Sequence, residues 1–98
     1  MAVNRGLLVL LEAKTGKEGE LAAFLQSGRD LALAEEGTVT WYAFQVNENT
    51  YGIFDTFENE DGRQAHLSGE IAKALGQIAP DLLAKDPDIR PVDVIAAT

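Results

Sequence analysis

Cysteine is absent from this 98-residue sequence, so no disulfide and no thiolate metal site can support it. That absence suits a reducing compartment. Basic residues are scarce: 8 lysines and arginines stand against 16 aspartates and glutamates, for a formal charge of -8. A field of that sign repels phosphate backbones and anionic membrane surfaces. The few basic residues are also scattered, so neither nucleic acid nor membrane is an expected partner. No apolar run is long enough to cross a bilayer. The opening Met1-Ala2-Val3-Asn4-Arg5-Gly6 lacks the charged region and cleavage site of a signal peptide, and cytoplasmic residence is the expectation. There is no glycine-rich phosphate loop and no dinucleotide fingerprint. Histidine occurs once, and with scattered carboxylates it makes no recognisable metal set. Repeats, low-complexity tracts and linkers are missing too, so residues 1–98 read as a single domain.

What is present is apolar and well punctuated. Hydrophobic residues make up 46%, ample for a chain that can bury only roughly 60–65% of its unfolded surface. Leu7 to Leu11 is a short unbroken apolar run, a strand buried on both faces. Thr15 and Glu18 have capping-box spacing, and Leu21, Phe24, Leu25, Gly28, Leu31 and Ala32 follow at helical steps. Gly37 is the expected left-handed stop. Thr38 to Val46 has the β-branched and aromatic composition of a strand. Asn47-Glu48-Asn49-Thr50 reads as a turn and Tyr51 to Phe57 as the returning strand of a hairpin. In the expected register Val46 faces Tyr51, Phe44 faces Ile53, Tyr42 faces Asp55 and Trp41 faces Thr56.

Asn59 can cap a further helix, with Glu60 and Asp61 at the positive end of its dipole. Gly69 is a break point. Leu67, Ile71, Ala74, Leu75, Ile78 and Leu82 form an apolar stripe, and Pro80 is expected to start a new turn. Ile89 to Ala96 is the last strand, with Pro91 at an edge or bulge. The order βαββαβ predicts an α+β, ferredoxin-like fold with a four-stranded antiparallel sheet and its helices on one face. Its open face is then apolar, because Leu8 and Leu10 oppose Leu7, Val9 and Leu11. A second copy, sheet against sheet, is the simplest cover, so the expected partner is a homodimer.

His66 is the one side chain whose unperturbed pKa lies near neutrality. It follows the small Gly62 and Ala65 on one helical face, which suits a general base at a cavity. The competing reading is a helix-end histidine bonded to backbone or solvent. Asp55 lies inside an apolar strand, where a carboxylate must be paired or wet. It can orient His66 or bind substrate, or it can make a structural hydrogen bond to Tyr42 or Arg63. The aromatics gather in the hairpin, where they line a pocket for a planar ligand or pack the core. Trp41 stands out as a pocket member, because Ala43 and Gly52 are expected to make its side of the sheet small.

The chain resembles the antibiotic biosynthesis monooxygenase-like domain family of the dimeric α+β barrel group. The resemblance is carried by Gly37-Thr38-Val39-Thr40-Trp41, Phe54-Asp55-Thr56-Phe57 and Arg63-Gln64-Ala65-His66-Leu67, and it covers nearly the whole chain. In that family an aromatic matches Trp41, an acidic residue followed by an aromatic matches Asp55 and Phe57, and a histidine matches His66. Here aspartate stands where glutamate is usual. The resemblance implies a cofactor-independent oxygenase acting on a quinol, phenol or fused aromatic. His66 and Asp55 are then the catalytic residues, and Trp41, Tyr42, Phe57 and Arg63 the substrate-binding ones. The alternatives are a non-catalytic ligand-binding or dimerisation module of the same fold, and haem binding with His66 as iron ligand.

Overall fold

The apolar run of the first strand becomes the spine of the sheet. A computed structural model describes residues 3–98; Met1 and Ala2, which open the segment without signal-peptide features, lie outside the described residues. Strand β1 (Arg5–Glu12) pairs antiparallel with β3 (Thr50–Phe57) on one side and β4 (Asp88–Asp93) on the other. Strand β2 (Thr38–Gln45) pairs antiparallel with β3, so the order across the sheet is β2-β3-β1-β4. Helices α1 (Glu18–Leu33), α2 (Glu60–Leu67) and α3 (Glu70–Leu82) complete the expected βαββαβ order, the second helix being split in two. Among the described residues, no helix is long and apolar enough to cross a membrane.

Alternation along β1 decides the layers. Leu7, Val9 and Leu11 are buried, and Val9 and Leu11 pack with Leu21 and Leu25 of α1 and Leu75 of α3. Leu8 and Leu10 point the other way and are only half-buried, so β1 is fully covered on one face rather than two. Tyr42 and Phe44 share that open face and remain 59% and 37% exposed.

The hairpin register differs from the expected one by a single residue. Gln45 faces Tyr51, Ala43 faces Ile53, Tyr42 faces Phe54 and Trp41 faces Asp55. The turn chemistry explains the slip. Asn47 Oδ1 accepts from the backbone N–H of Asn49 at 3.1 Å and of Thr50 at 2.9 Å. Thr50 O accepts from Val46 N at 2.8 Å. Val46 therefore belongs to the loop. A one-residue slip reverses every face: Trp41 joins Asp55 beneath the helices, while Tyr42 goes to the open side. Gly52 goes with it, lying beneath the Phe44 ring instead of beside Trp41. A bulge between Thr38 and Thr40 absorbs the extra residue at the other end of β2.

Other local expectations also shift. The capping box does not form: α1 starts after Lys17, no side chain caps it, and Glu18 accepts instead from Gly16 N at 2.9 Å. Gly37 is not a left-handed stop, since Gly16 alone among the described residues has positive φ. Helix α1 ends earlier, at Leu33. The service of Gly37 is close approach, because a Cβ there would come within 2.9 Å of Gly62 Cα. Pro80 lies inside α3 and does not restart it. The carbonyl it deprives of a partner is that of exposed Gly76, which has open space beside it, and Lys14 Nζ donates to Pro80 O at 2.6 Å. Strand β4 ends at Asp93 rather than Ala96. Past it, Val94 N finds Asn4 O at 3.1 Å, and β1 supplies no further ladder. Pro91 lies opposite Leu7 on this edge strand, as expected.

Candidate functional site

Helix α2 begins where the sequence indicates. Asn59 Oδ1 accepts from Gly62 N at 3.0 Å, and the short helix then delivers His66 to the sheet near its C-terminal end. Gly69 ends this arm and starts α3. His66 is buried, only 8% exposed, with Phe57 beside it at a ring-centroid distance of 5.4 Å. It is not a solvent-facing helix-end residue.

Both of its ring nitrogens meet carboxylates. Nε2 lies 2.8 Å from Asp55 Oδ2, and Nδ1 lies 2.5 Å from Glu35 Oε1. Glu35 belongs to the short connection between α1 and β2 and also accepts from Thr38 Oγ1 at 3.0 Å. Asp55 is 0% exposed, yet neither of its oxygens takes a well-directed hydrogen bond. Its contact with Nε2 is a close ion pair. Glu35 Oε2 and Trp41 Nε1 are likewise buried without partners.

Burial alone would lower the His66 pKa, but the Asp55 carboxylate held against Nε2, then Glu35 at Nδ1, outweigh it and raise the value above that of an ordinary histidine. The chemical sense is direct. An imidazolium can donate from both nitrogens, whereas a neutral ring can donate from only one. The arrangement also removes the free nitrogen that a haem iron would need. Among the described residues, no group of three or more histidine, cysteine, aspartate or glutamate side chains is arranged to hold a metal ion.

The expected site residues fall into three places. Trp41, Asp55, Phe57 and His66 share the helix-covered face, with the Trp41 ring seated over Gly28. Tyr42 is on the opposite face. Arg63 is spent on structure: it pairs with Glu60 and donates to Gly6 O and Val92 O, each at 3.2 Å. Asp55 thus bonds neither Tyr42 nor Arg63 as the structural reading supposed. Glu35 was not anticipated. The available signal was Thr38 three residues later, whose hydroxyl and N–H both return to Glu35 across the connection.

A cavity of about 680 Å³ opens beside this trio. Glu35, Glu36, Glu58 and Asp61 contribute carboxylates to its wall, His66 reaches it, and no lysine or arginine lines it. A second cleft, about 590 Å³, runs between α1 and β2 with Trp41, Leu25, Tyr42, Phe44 and Tyr51 among its walls. Trp41 and His66 therefore line different cavities, and Asp55 lines neither.

No family model and no curated protein matches the chain. Solved structures do. The chain is similar to the protein of unknown function NE2512 from Nitrosomonas europaea, with 48% identity, a TM-score of 0.96, and coverage of 98% of this chain and 93% of that one. It has the fold of a provisionally named antibiotic biosynthesis monooxygenase from the same organism, at 12% identity and a TM-score of 0.85, covering 97% and 93% of the two chains. A protein similarly named from Chloroflexus aurantiacus shares the fold at 18% identity and a TM-score of 0.75, with 97% and 96% covered.

Proposed function

We propose that this chain, which belongs to the same family as the Nitrosomonas europaea protein of unknown function and shares the fold of the antibiotic biosynthesis monooxygenases, is a cofactor-independent monooxygenase oxidising a quinol, phenol or fused aromatic with molecular oxygen. The observation that carries the reading is the buried Asp55–His66–Glu35 trio. With His66 protonated, the trio keeps one net negative charge at the edge of the acidic cavity, as a proton acceptor requires. Carboxylate bases of this kind work where the resulting oxyanion is stabilised, and the imidazolium supplies that positive charge.

The chemistry starts with loss of the phenolic proton to the Asp55–His66 pair. The electron-rich anion passes one electron to oxygen, and the radical pair combines at a ring carbon. For a phenol with a free para position the products are a quinone and water. One oxygen atom enters the ring, the other leaves as water, and four electrons pass from substrate to oxygen. The acidic cavity wall favours neutral phenols over substrates bearing carboxylate or phosphate.

Flavin-free, metal-free protein should consume oxygen with a panel of quinols and naphthols. Loss of a general base is typically worth about 10²–10⁴ in rate, so Asp55→Asn and His66→Gln should fall by that order. Equal rates for all three proteins at the autoxidation background would remove the catalytic reading. They would favour a non-catalytic binding module, which the saturation of both His66 nitrogens also suits.

The open face completes the reading as a homodimer. Leu8, Leu10 and Phe54 are half-buried there, and Tyr42 and Phe44 are exposed. A patch of this kind is rarely left in water. Light scattering at micromolar concentration should report twice the chain mass, and Phe44→Asp should shift the protein toward monomer. A wild-type monomer would sink the dimer.

A further inference from the structure

Gly69 stands where a serine or an aspartate would serve the following helix better. It is the N-cap of α3, with φ -84° and ψ -176°, and no side chain caps that helix. Extended backbone of this kind is open to any residue, and a serine, aspartate or asparagine there would bond a free N–H of the first turn. What a side chain at position 69 would meet is Glu35. A Cβ there would overlap Glu35 Oε2 and come within 3.3 Å of Glu35 Cδ. The carboxylate is held from one side only. Oε1 lies 2.5 Å from His66 Nδ1 and accepts from Thr38 Oγ1 at 3.0 Å. Oε2 is buried and takes no hydrogen bond; it occupies the space that the missing Cβ leaves.

We infer that Gly69 is a positioning residue of the site: the space left by its missing side chain keeps the Glu35 carboxylate against His66 Nδ1. A methyl group at position 69 would turn the carboxylate away and leave the fold in place. The overlapped atom is the far end of a flexible side chain, and on the backbone only Ala65 O, at 3.2 Å, must give. With Glu35 displaced, Asp55 of β3 remains against Nε2, the uncharged Phe57 ring stays beside the imidazole, and Glu36, Glu58 and Asp61 stay in the wall of the cavity that His66 reaches. His66 has then lost one of its two touching carboxylates and holds its proton less tightly. The catalytic consequence rests on the oxygenase reading, in which the imidazolium stabilises the phenolate; the placement of Glu35 rests on the contact alone.

The sequence has one histidine, so the imidazole proton resonances report His66 alone. Gly69→Ala should lower the midpoint of their titration by about one pH unit, a weakening of about tenfold in proton affinity, as the loss of a touching carboxylate implies. Glu35→Ala should lower it by a similar amount. In the double-mutant cycle, Gly69→Ala should change nothing further in the Glu35→Ala background, where no carboxylate is left to displace. An unmoved midpoint in folded Gly69→Ala, or an equal further shift in the Glu35→Ala background, would overturn the inference. If Gly69→Ala does not fold, the double variant decides: recovery of the fold upholds the clash with Glu35, and a double variant that is also unfolded overturns it. Oxygen uptake with a quinol separates this from the proposed activity. Under the oxygenase reading, the high-pH limb of the rate profile should move down with the titration in Gly69→Ala. A shifted titration with no oxygen uptake by any of the proteins would sustain the positioning role and remove the oxygenase. An unmoved titration in an active Gly69→Ala would do the reverse.

Discussion

Between α1, α3 and the middle of the sheet, Val9, Leu11, Leu21, Leu25, Ile53 and Leu75 pack in one apolar cluster. Under α2 the same face carries Asp55, His66 and Glu35 in contact. The two ends belong to one layer and obey different energetics. The apolar end gains by area removed from water, about 25 cal/mol for each Å². At the charged end, desolvation opposes pairing, and the balance holds only while every partner stays. A small domain has little burial to spare. Placing a fully covered aspartate in it departs from local packing logic, and such departures gather at functional sites.

The largest effect expected from this contrast is at His66. His66→Ala leaves Asp55 buried and Glu35 half-buried without their cation, a loss of about 3–5 kcal/mol for a broken buried pair. A solvent-facing helix-end histidine would leave the melting temperature nearly unchanged; the burial of His66 and its two ion pairs predict a large loss instead. At the apolar end, Ile53→Val removes one methylene from a packed site and should cost about 0.5–1.5 kcal/mol. Urea unfolding of both variants measures the difference. Were His66→Ala to cost no more than Ile53→Val, the charged end would not depend on its pairing, and the contrast would fail.

Much of this architecture was legible because it rests on local signals. The β1 run, the Asn59 cap and the Gly69 break each depend on residues within one turn or strand. The trio was only half legible. Asp55 and His66 announce themselves, one as a charge in an apolar strand and the other as the lone histidine. Glu35 lies 31 residues from His66 in a connection of ordinary polar composition. What brings it there is the Gly37–Gly62 approach, a tertiary contact that neither segment reveals alone. The Trp41–Asp55 pairing was hidden by one side chain. Asn47 takes two turn N–H groups and lengthens the loop, and alternation in β2 cannot fix a register when Trp41, Tyr42, Ala43 and Phe44 are all apolar enough for either face.

The smallest effect expected is a slope with pH, and its sign tests which charge state His66 holds. The folded pKa of His66 is raised because Asp55 and Glu35 together outweigh its burial. A raised value means that the folded chain binds the proton more tightly than the unfolded chain, whose histidine titrates near about 6.5. The stabilisation is therefore complete below about 6.5 and is lost as pH rises through the folded value. The groups facing the ring are Asp55 from β3, Glu35 from the α1–β2 connection and the uncharged Phe57. The other carboxylates and bases of the chain titrate in wild type and variant alike, so the comparison is between slopes. The urea midpoint of wild type should fall more steeply from about pH 6 to about pH 9 than that of His66→Gln, which lacks the titrating group. Parallel slopes would mean that His66 stays neutral between its two carboxylates. The charged end would then be held by one hydrogen bond, and the net charge assigned to the trio as proton acceptor would have to be redrawn.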